Sequence, residues 1–374
     1  RACRCARTGC ALPTMVGMEI AMIDERHFRA AVEQTMLPAI ARCRHSGTMR
    51  PATEDHLGHP LPPLAELGHL HYVCYDVGEF QQLHMPGASA RNHGAVVISH
   101  GFSEFAAKYA EMTWYFLLAG FSVCILEHRG HGYSQRDVRD DQVVYIDDWR
   151  RYVADFAKFT REVGRGYAQG NPLTLFAHSM GGGIAAAMLE RYPNIVDRAV
   201  LSSPMIEANM GLPTWLAATV CGALADAGKG KRMAPGQHGF TTAINWKEER
   251  GASATRVTWF KSLRDADTHY QTTAPANEWV RQAARLSPAV LRQDMCERIE
   301  TPILMFQAGA DHWVRNSAQN EFAKHVRRDG GNLRFIRVPG SVHEIFAMPN
   351  DVMAPYLQHV LRFLQTDEVV TVLP

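Results

Sequence analysis

The stretch of sequence that most constrains the fold runs from Leu173 to Leu189 and reads LTLFAHSMGGGIAAAML. Its first half is an apolar run that is typical of a buried strand, and its second half is a glycine-rich run that is typical of a helix. The strand stops at Ser179, and the helix begins at the next residue. Buried strands that alternate with helices indicate parallel βαβ units, in which helices cover both faces of the sheet.

The same alternation continues on both sides of this stretch and predicts an α/β fold with a mostly parallel sheet. We expect strands at 94–102, 121–132, 172–179, 198–204, 302–309 and 332–340, and helices at 106–120, 145–163, 180–192, 316–328 and 351–365. Upstream, the spacing of apolar residues predicts a helix over 24–44, and a polar, proline-rich linker follows to about residue 69. The runs HLHYVCYDV and EFQQLHMPG, separated by a glycine turn, then predict an antiparallel strand pair.

The alternation breaks between Met205 and Glu300. This segment contains no clear strand and holds four of the seven tryptophans, namely Trp215, Trp246, Trp259 and Trp279. It predicts a helical cap inserted after the sixth strand, because such insertions commonly cover a ligand pocket. The predicted organisation is therefore a leader, helix and linker (1–68), a core (69–204 and 301–374) and a cap (205–300).

The charge balance excludes several kinds of partner. Lys and Arg total 39 against 38 for Asp and Glu, so we expect no binding to nucleic acid and no charge-driven attraction to anionic lipid. No run approaches the roughly 20 apolar residues of a membrane-spanning helix. The N-terminal leader lacks the long apolar core of a signal peptide, so we expect a cytoplasmic protein, and Met15 and Met18 are candidates for its true start.

The cysteines predict thiols rather than a metal site. Cys3, Cys5 and Cys10 form a C-x-C-x4-C pattern in the leader, but no histidine or fourth cysteine lies close enough to complete a tetrahedral site. The other five cysteines are scattered singly, so we expect buried free thiols at Cys43, Cys74, Cys124, Cys221 and Cys296.

The junction at Ser179 matches the nucleophile elbow, small-x-Ser-x-Gly, with Ala177 in the first place and Gly181 in the last. A sharp turn there would lift the serine Oγ above the strand ends, and the residues two before and two after it must be small. The helix N-terminus would aim the Met180 N–H at a developing oxyanion. The alternative is that Ser179 is an ordinary helix N-cap.

A serine nucleophile needs a base, and the base needs an acid to orient it. In this arrangement the acid and then the histidine follow the serine, each in a loop after a strand. Asp311 follows the predicted strand at 302–309, and His343 follows the one at 332–340. Glu207, which follows the strand at 198–204, is the rival acid. His312 and His325 are not placed after the last strand.

The second oxyanion donor should come from the loop after the 94–102 strand. The sequence SHGFSEF occupies that loop, and we expect the backbone N–H of Phe102 to be the donor. The turn EHRGHGYS follows the next strand, and its Arg129 is expected to brace the floor of the site rather than to contact substrate.

With these residues identified, the chain resembles α/β-hydrolases of the lysophospholipase L2 and monoacylglycerol lipase group. The resemblance extends from about Tyr72 to Phe363 and rests on HGFSEFAAKYAEM, EHRGHGYS, AHSMGGG, LSSPM, PILMFQAGAD and GSVHEIF. The alanine of AHSMGG, the early helix and NEWVRQA in the cap favour the lysophospholipase L2 branch. The α/β-hydrolase fold follows from the resemblance.

The resemblance also implies a function. Ser179 would attack a carboxylic ester, with His343 as base, Asp311 as its partner, and the Phe102 and Met180 N–H groups as oxyanion donors. No metal or organic cofactor is implied, and the expected substrate is a single-chain acyl lipid such as a lysophospholipid or a monoacylglycerol. A general carboxylesterase, a proline-type aminopeptidase and a binding protein without turnover are the alternatives.

Two features of the cap bear on substrate. Trp215 and Trp279 are candidates for lining an acyl-chain tunnel, although both would also fit the core of the cap. The apolar run LPTWLAATVCGALA (212–225) is expected to be buried, and the alternative hypothesis is that it contacts a membrane surface as an interfacial helix.

Overall fold

The structure, a computed structural model, describes residues 20–328 and 330–365. Within these ranges the strands are β1 (Arg44–Met49), β2 (Leu70–Tyr75), β3 (Gly94–Ser99), β4 (Phe121–Leu126), β5 (Val143–Val144), β6 (Leu173–His178), β7 (Arg198–Ser202), β8 (Ala274–Pro275), β9 (Ile303–Ala308) and β10 (Leu333–Val338). Eight of these described strands form the main sheet, in the order β1-β2-β4-β3-β6-β7-β9-β10. The short strands β5 and β8 pair with each other.

The main sheet is mostly parallel. Strand β2 is antiparallel to both of its neighbours, β1 and β4, and the remaining pairs in the sheet are parallel. The predicted α/β class is therefore confirmed. In parallel strands the carboxyl ends share one edge of the sheet, so the loops after β3, β6, β9 and β10 emerge on the same side.

Helices cover both faces of the sheet, as predicted. The α-helices of the described residues are Phe28–Ala31, Leu37–Ala41, Val77–Gln81, Ala110–Leu118, Trp149–Phe159, Arg165–Ala168, Met180–Arg191, Thr214–Leu224, Ala254–Ala266, Asn277–Val290, Gln293–Cys296, Asn316–Arg327 and Asn350–Gln365. Along β3, Ala95 and Val97 pack into one apolar cluster, whereas Val96 and Ile98 pack into another. All four are fully buried, which explains why the strand reads as an uninterrupted apolar run.

The N-terminal part of the sheet differs from the prediction. The predicted strand EFQQLHMPG is wrong, because a short helix at Val77–Gln81 begins in its place, with the Asp76 carboxylate accepting from the Glu79 N–H at 3.0 Å. Strand β2 instead pairs antiparallel with β4 and with β1, and β1 lies upstream in the segment that we assigned to the helix and linker. Strand β1 was missed because it is polar and largely exposed, with only Met49 buried.

About half of the residues in the segment between β7 and β9 are helical, and its helix Asn277–Val290 packs on Thr214–Leu224 and on Met180–Arg191. Its strand β8, two residues long, was not predicted. The five cysteines of the described residues are free and buried, as expected, while Cys3, Cys5, Cys10, Met15 and Met18 lie outside the described residues. Among the described residues, no helix combines the length and the apolar character that crossing a membrane requires.

One buried arginine ties the helix Ala254–Ala266 to the core. Arg256 donates from Nε and Nη2 to the two carboxylate oxygens of Glu111 at 2.8 Å, and from Nη1 to the carbonyl of Met348 at 2.9 Å. The side chains of Arg256 and Glu111 are 4% and 8% exposed. A bidentate pair of this kind fixes both the distance and the orientation of the two helices that carry it.

We predict that Arg256→Met lowers the free energy of unfolding by about 3–5 kcal/mol, because it leaves the buried Glu111 carboxylate without its partner. Urea unfolding followed by circular dichroism measures the loss. The matched control is Arg250→Met, since Arg250 is exposed and should change stability by less than about 0.5 kcal/mol. Equal losses in the two variants would show that the pair does not hold the helix.

Candidate active site

Three of the expected side chains follow strands whose carboxyl ends share one edge of the sheet. Ser179 comes directly after β6, Asp311 follows β9, and His343 follows β10. The Nδ1 atom of His343 lies 2.7 Å from Oδ2 of Asp311. The loops that carry the acid and the histidine are joined to each other, because the Ala310 N–H donates to the carbonyl of Ser341 at 2.9 Å.

Ser179 occupies a backbone conformation that L-residues rarely adopt, with φ +51° and ψ −122°. Its own backbone groups secure that conformation: the Ser179 N–H donates to the carbonyl of Ser202 at 3.2 Å, and the Ser179 carbonyl accepts from the Met205 N–H at 2.8 Å. The serine makes no side-chain capping bond to the helix that follows, so the simple N-cap alternative does not describe it. This is the sharp strand-to-helix turn that the sequence motif predicts.

Glycine is required after the serine because the helix start is packed against neighbouring backbone. A Cβ at Gly181 would lie 2.1 Å from the carbonyl oxygen of Ser99, and one at Gly183 would lie 2.4 Å from the carbonyl oxygen of Met205. A Cβ at Gly182 would lie 2.6 Å from the Pro204 side chain. The glycine run therefore lets the helix begin in contact with the ends of β3 and β7.

The Asp311 carboxylate is fully buried and held on both oxygens. Oδ1 accepts from the N–H groups of Trp313 at 2.8 Å and Val314 at 3.1 Å, while Oδ2 faces His343. Burial by itself would raise the pKa of Asp311, but the hydrogen bond and charge of His343 outweigh it, and the pKa is lowered. An ionised carboxylate can only accept, so it fixes the Nδ1–H tautomer of His343 and leaves Nε2 free on the other side of the ring.

The loop after β3 passes directly against the serine. A Cβ at Gly101 would lie 3.0 Å from the Cβ of Ser179, so the residue before Phe102 is in close contact with the serine. The Phe102 ring packs on Trp279, with 4.5 Å between the ring centroids. Met180 is the first residue of its helix, where backbone N–H groups have no partner within the helix.

The structure also shows the surroundings of the remaining candidate residues. Trp279 is 7% exposed and contacts the Phe102 loop, whereas Trp215 is 70% exposed at the molecular surface and is not brought together with Trp279 in an enclosed tunnel. Glu207, the rival acid, pairs with Arg315 at 3.0 Å rather than with a histidine. Arg129 is buried and pairs with Asp137 at 2.6 Å, which fits a bracing role.

Sequence reasoning missed a buried charged cluster beside the site. Lys108 lies between Glu104, in the loop after β3, and Glu344, the residue after His343. The signal in the sequence was the spacing of Glu104 and Lys108, four residues apart, and the position of Glu344. The carboxylates of Glu104 and Glu344 and the His178 ring have the chemistry of a metal site, but the Lys108 ammonium contacts both carboxylates and supplies the positive charge there.

Comparisons with known proteins identify the family of this chain. Residues 90–350 match the family model Hydrolase_4, described as serine aminopeptidase, S33. The chain belongs to this family. Over 290 residues it is 28% identical to the probable lysophospholipase L2 of Haemophilus influenzae, which covers 76% of this chain and 87% of that protein.

This Hydrolase_4 member is also similar to one further protein in sequence and to one solved structure in fold. The monoacylglycerol lipase of Mycolicibacterium smegmatis is 36% identical over 125 residues, covering 33% of this chain and 42% of that protein. The crystal structure of a soluble variant of the Saccharomyces cerevisiae monoglyceride lipase superposes with a TM-score of 0.62 at 16% identity, over 84% of this chain and 95% of that one. The α/β-hydrolase fold and the resemblance to this group of lipases are therefore confirmed.

We predict that Gly181→Ala lowers the free energy of unfolding by about 1–3 kcal/mol, because the new methyl group overlaps the Ser99 carbonyl. Hydrolysis of a short p-nitrophenyl ester should fall at least about 100-fold, since the turn and the Phe102 loop must move apart. The control is Gly166→Ala in the helix Arg165–Ala168, where a Cβ meets no neighbour and stability should rise by up to about 1 kcal/mol. Full activity in Gly181→Ala would contradict the tight-turn assignment.

Proposed function

We propose that this protein is a serine hydrolase that cleaves carboxylic esters of single-chain acyl lipids, with Ser179, His343 and Asp311 as its catalytic triad. The observation that carries the proposal is the 2.7 Å contact between His343 and Asp311, in loops that emerge at the same sheet edge as the strained turn of Ser179. With φ +51° and ψ −122°, Ser179 lies outside the left-handed helical region, and strained conformations of this kind cluster at active sites.

The first half of the reaction forms an acyl-enzyme. Ser179 Oγ attacks the ester carbonyl carbon while His343 Nε2 accepts the serine proton, and the Asp311 carboxylate stabilises the imidazolium. The negative oxygen of the tetrahedral intermediate accepts hydrogen bonds from the Met180 and Phe102 N–H groups. Collapse of the intermediate breaks the ester C–O bond, and the imidazolium gives its proton to the departing alcohol.

The second half repeats these steps with water as the nucleophile. His343 Nε2 removes a proton from water, the hydroxide attacks the acyl carbon, and the same two N–H groups bind the oxyanion. The fatty acid then leaves as Ser179 recovers its proton. Every proton moves through one imidazole, whose tautomer Asp311 fixes, so no metal is required for this chemistry.

The relatives' names and the cap support a lipid substrate. A relative described as a probable lysophospholipase L2 aligns with 76% of this chain. The partly exposed Phe102 and the buried Trp279 form an apolar wall beside the expected oxyanion donor. An apolar wall next to the ester carbonyl favours the binding of an apolar acyl chain over the binding of a polar group.

Monoacylglycerol hydrolysis is the second candidate, because a monoacylglycerol lipase aligns with this chain at 36% identity over 125 residues. The family description also raises aminopeptidase activity, which needs a carboxylate for the substrate's amine. Glu104 and Glu344, two carboxylates next to the expected base, are both paired with the Lys108 ammonium, and this disfavours them as the binding site for a substrate amine.

We predict that the purified protein releases fatty acid from lysophosphatidylcholine or monoacylglycerol and does not cleave prolyl-p-nitroanilide. Ser179→Ala should lower kcat at least about 10⁴-fold, and Asp311→Asn by a similar factor, because each removes a group on which proton transfer depends. The ratio of the two lipid rates distinguishes the two lipid candidates. Cleavage of the prolyl substrate alone, lost in Ser179→Ala, would replace the lipase proposal with the peptidase.

We also propose that the protein contacts a membrane surface through an exposed apolar patch, which consists of Leu212, Trp215 and Trp313 (52%, 70% and 56% exposed). The segments that carry it run side by side: the Asn209 N–H donates to the Trp313 carbonyl at 2.8 Å, and Arg315 donates to the Leu212 carbonyl at 3.2 Å. Trp313 lies two residues after Asp311, so the patch adjoins the loop of the acid. Tryptophan is enriched at membrane–water interfaces.

We predict that vesicles of phosphatidylcholine float the wild-type protein and that the double variant Trp215→Ser/Trp313→Ser binds at least about tenfold more weakly, because it loses two large apolar side chains. The net charge of +1 offers no electrostatic attraction, so adding phosphatidylglycerol should change binding little. Trp246→Ser is the matched control, since Trp246 is 50% exposed elsewhere in the cap segment. Equal flotation of all three proteins would exclude this patch as the docking surface.

A further inference from the structure

Lys108 joins two loops that are far apart in the sequence. Its ammonium group donates to Oε1 of Glu104 at 2.7 Å and to Oε1 of Glu344 at 2.5 Å. Glu104 belongs to the loop after β3, which carries Phe102, and Glu344 directly follows His343. The lysine side chain is 4% exposed, so these contacts lie within the protein rather than at its surface.

Glu104 in turn organises the loop that precedes it. Its Oε2 atom accepts from the Gly101 N–H at 2.5 Å and from the Tyr109 hydroxyl at 2.6 Å. Gly101 lies close to both Glu104 and Ser179, because a Cβ there would be 2.9 Å from Glu104 Oε2 and 3.0 Å from the Cβ of Ser179. The carboxylate therefore holds the backbone of the Phe102 loop against the serine, and Lys108 holds the carboxylate.

The charges of this cluster are mutually dependent. Burial favours the neutral form of Glu104, but the Lys108 ammonium outweighs burial and lowers the pKa of that carboxyl group. Burial alone would lower the pKa of Lys108, and the charges of Glu104 and Glu344 raise it instead. Both groups are consequently ionised near neutral pH, and removal of the lysine leaves two carboxylates without their counter-ion.

The surroundings of Lys108 argue against direct substrate binding. The Phe260 ring of the helix Ala254–Ala266 lies over its ammonium group at 4.2 Å, and the Phe346 ring lies at 5.7 Å. Two of its three N–H bonds are used by the carboxylates. A buried cation enclosed by two carboxylates and two rings is placed to hold protein groups in position.

We propose that Lys108 is a positioning residue of the hydrolase, which fixes the oxyanion loop and the histidine loop relative to each other through Glu104 and Glu344. The inference rests on the proposed function, because it assigns those two loops to the oxyanion donor and the general base. The two loops are then held in fixed positions next to Ser179. We therefore expect loss of the lysine to affect turnover more than substrate binding.

The pH dependence of the reaction provides a readout that a purely structural role would not move. The charged and titratable groups around His343 and its neighbour Glu344 include Asp311, Glu104, Lys108, His178 and the cap residues Glu249 and Arg264. Burial lowers the pKa of His178 to about 4, so it is neutral near pH 7. Loss of the lysine leaves extra negative charge near the base, which favours its protonated form.

The test compares Lys108→Met with Lys108→Arg, using hydrolysis of p-nitrophenyl butyrate and the rate at which a fluorophosphonate labels Ser179. We expect Lys108→Met to lower kcat by about 10- to 100-fold with KM changed less than about threefold, and to move the acidic limb of the kcat/KM profile to higher pH. Lys108→Arg keeps the charge and should recover most of kcat and the wild-type profile.

A second variant keeps the proposal testable if Lys108→Met folds poorly. Glu344→Gln breaks one contact of the lysine at a carboxylate that is 29% exposed, and it should move the acidic limb to lower pH. In a double-mutant cycle, the kcat loss caused by Glu344→Gln should be smaller in the Lys108→Met background than in the wild type, since the two residues act together.

Three results would overturn the proposal. A rise in KM at unchanged kcat would show that Lys108 binds substrate. A lower melting temperature with unchanged kcat, labelling rate and pH profile in the folded protein would assign it a structural role only. If the kcat losses of Lys108→Met and Glu344→Gln were additive in the double-mutant cycle, the two residues would act independently. Because the probes are a soluble ester and a fluorophosphonate, absence of lysolipid hydrolysis would contradict the proposed substrate without affecting this test.

Discussion

The strained turn at Ser179 is the constraint on which the rest of the structure depends. A non-glycine residue at positive φ costs on the order of 1–3 kcal/mol and persists only where its surroundings determine it. Here Ser202 at the end of β7 and Met205 in the loop after it bind the backbone groups of the serine, and the glycine run lets the helix Met180–Arg191 start against the end of β3 and that same loop. These contacts can form together because β6 lies between β3 and β7 in the sheet.

The sheet brings the loops after its strands close to that turn, and buried charged side chains fix the positions of these loops. Asp311 holds the histidine ring, Glu104 holds the backbone of the Phe102 loop, and Lys108 connects the two loops through Glu344. Farther away, Arg256 holds the helix that carries Phe260, and that ring covers Lys108. Two buried charge pairs, Arg256 with Glu111 and Lys108 with Glu104, therefore support the cap helix and the loops of the site, and removing one partner of either pair is costly.

The sequence was sufficient to predict the features that arise from local pattern. Uninterrupted apolar runs predicted the parallel strands, and the small residues around Ser179 predicted the sharp turn that the structure contains. The sequence was insufficient where a strand forms only because it pairs with a neighbour. Strand β1 is polar and exposed, and its strand conformation comes from hydrogen bonds to β2. Glu344 looked unremarkable because its partner, Lys108, lies 236 residues away in the chain. The exposure of Trp215 depends on how its helix packs, which periodicity did not reveal.

The most direct test of the account is to identify the residue that carries the acyl group during turnover. The enzyme is mixed with p-nitrophenyl laurate, quenched in acid within the first turnovers, digested and analysed by mass spectrometry, with His343→Ala as the variant that should not acylate. If Ser179 is the nucleophile, a dodecanoyl group will appear on the peptide that contains Ser179, attached at the serine oxygen. An acyl group on another residue, or rapid hydrolysis with no acylated peptide at any quench time, would contradict it.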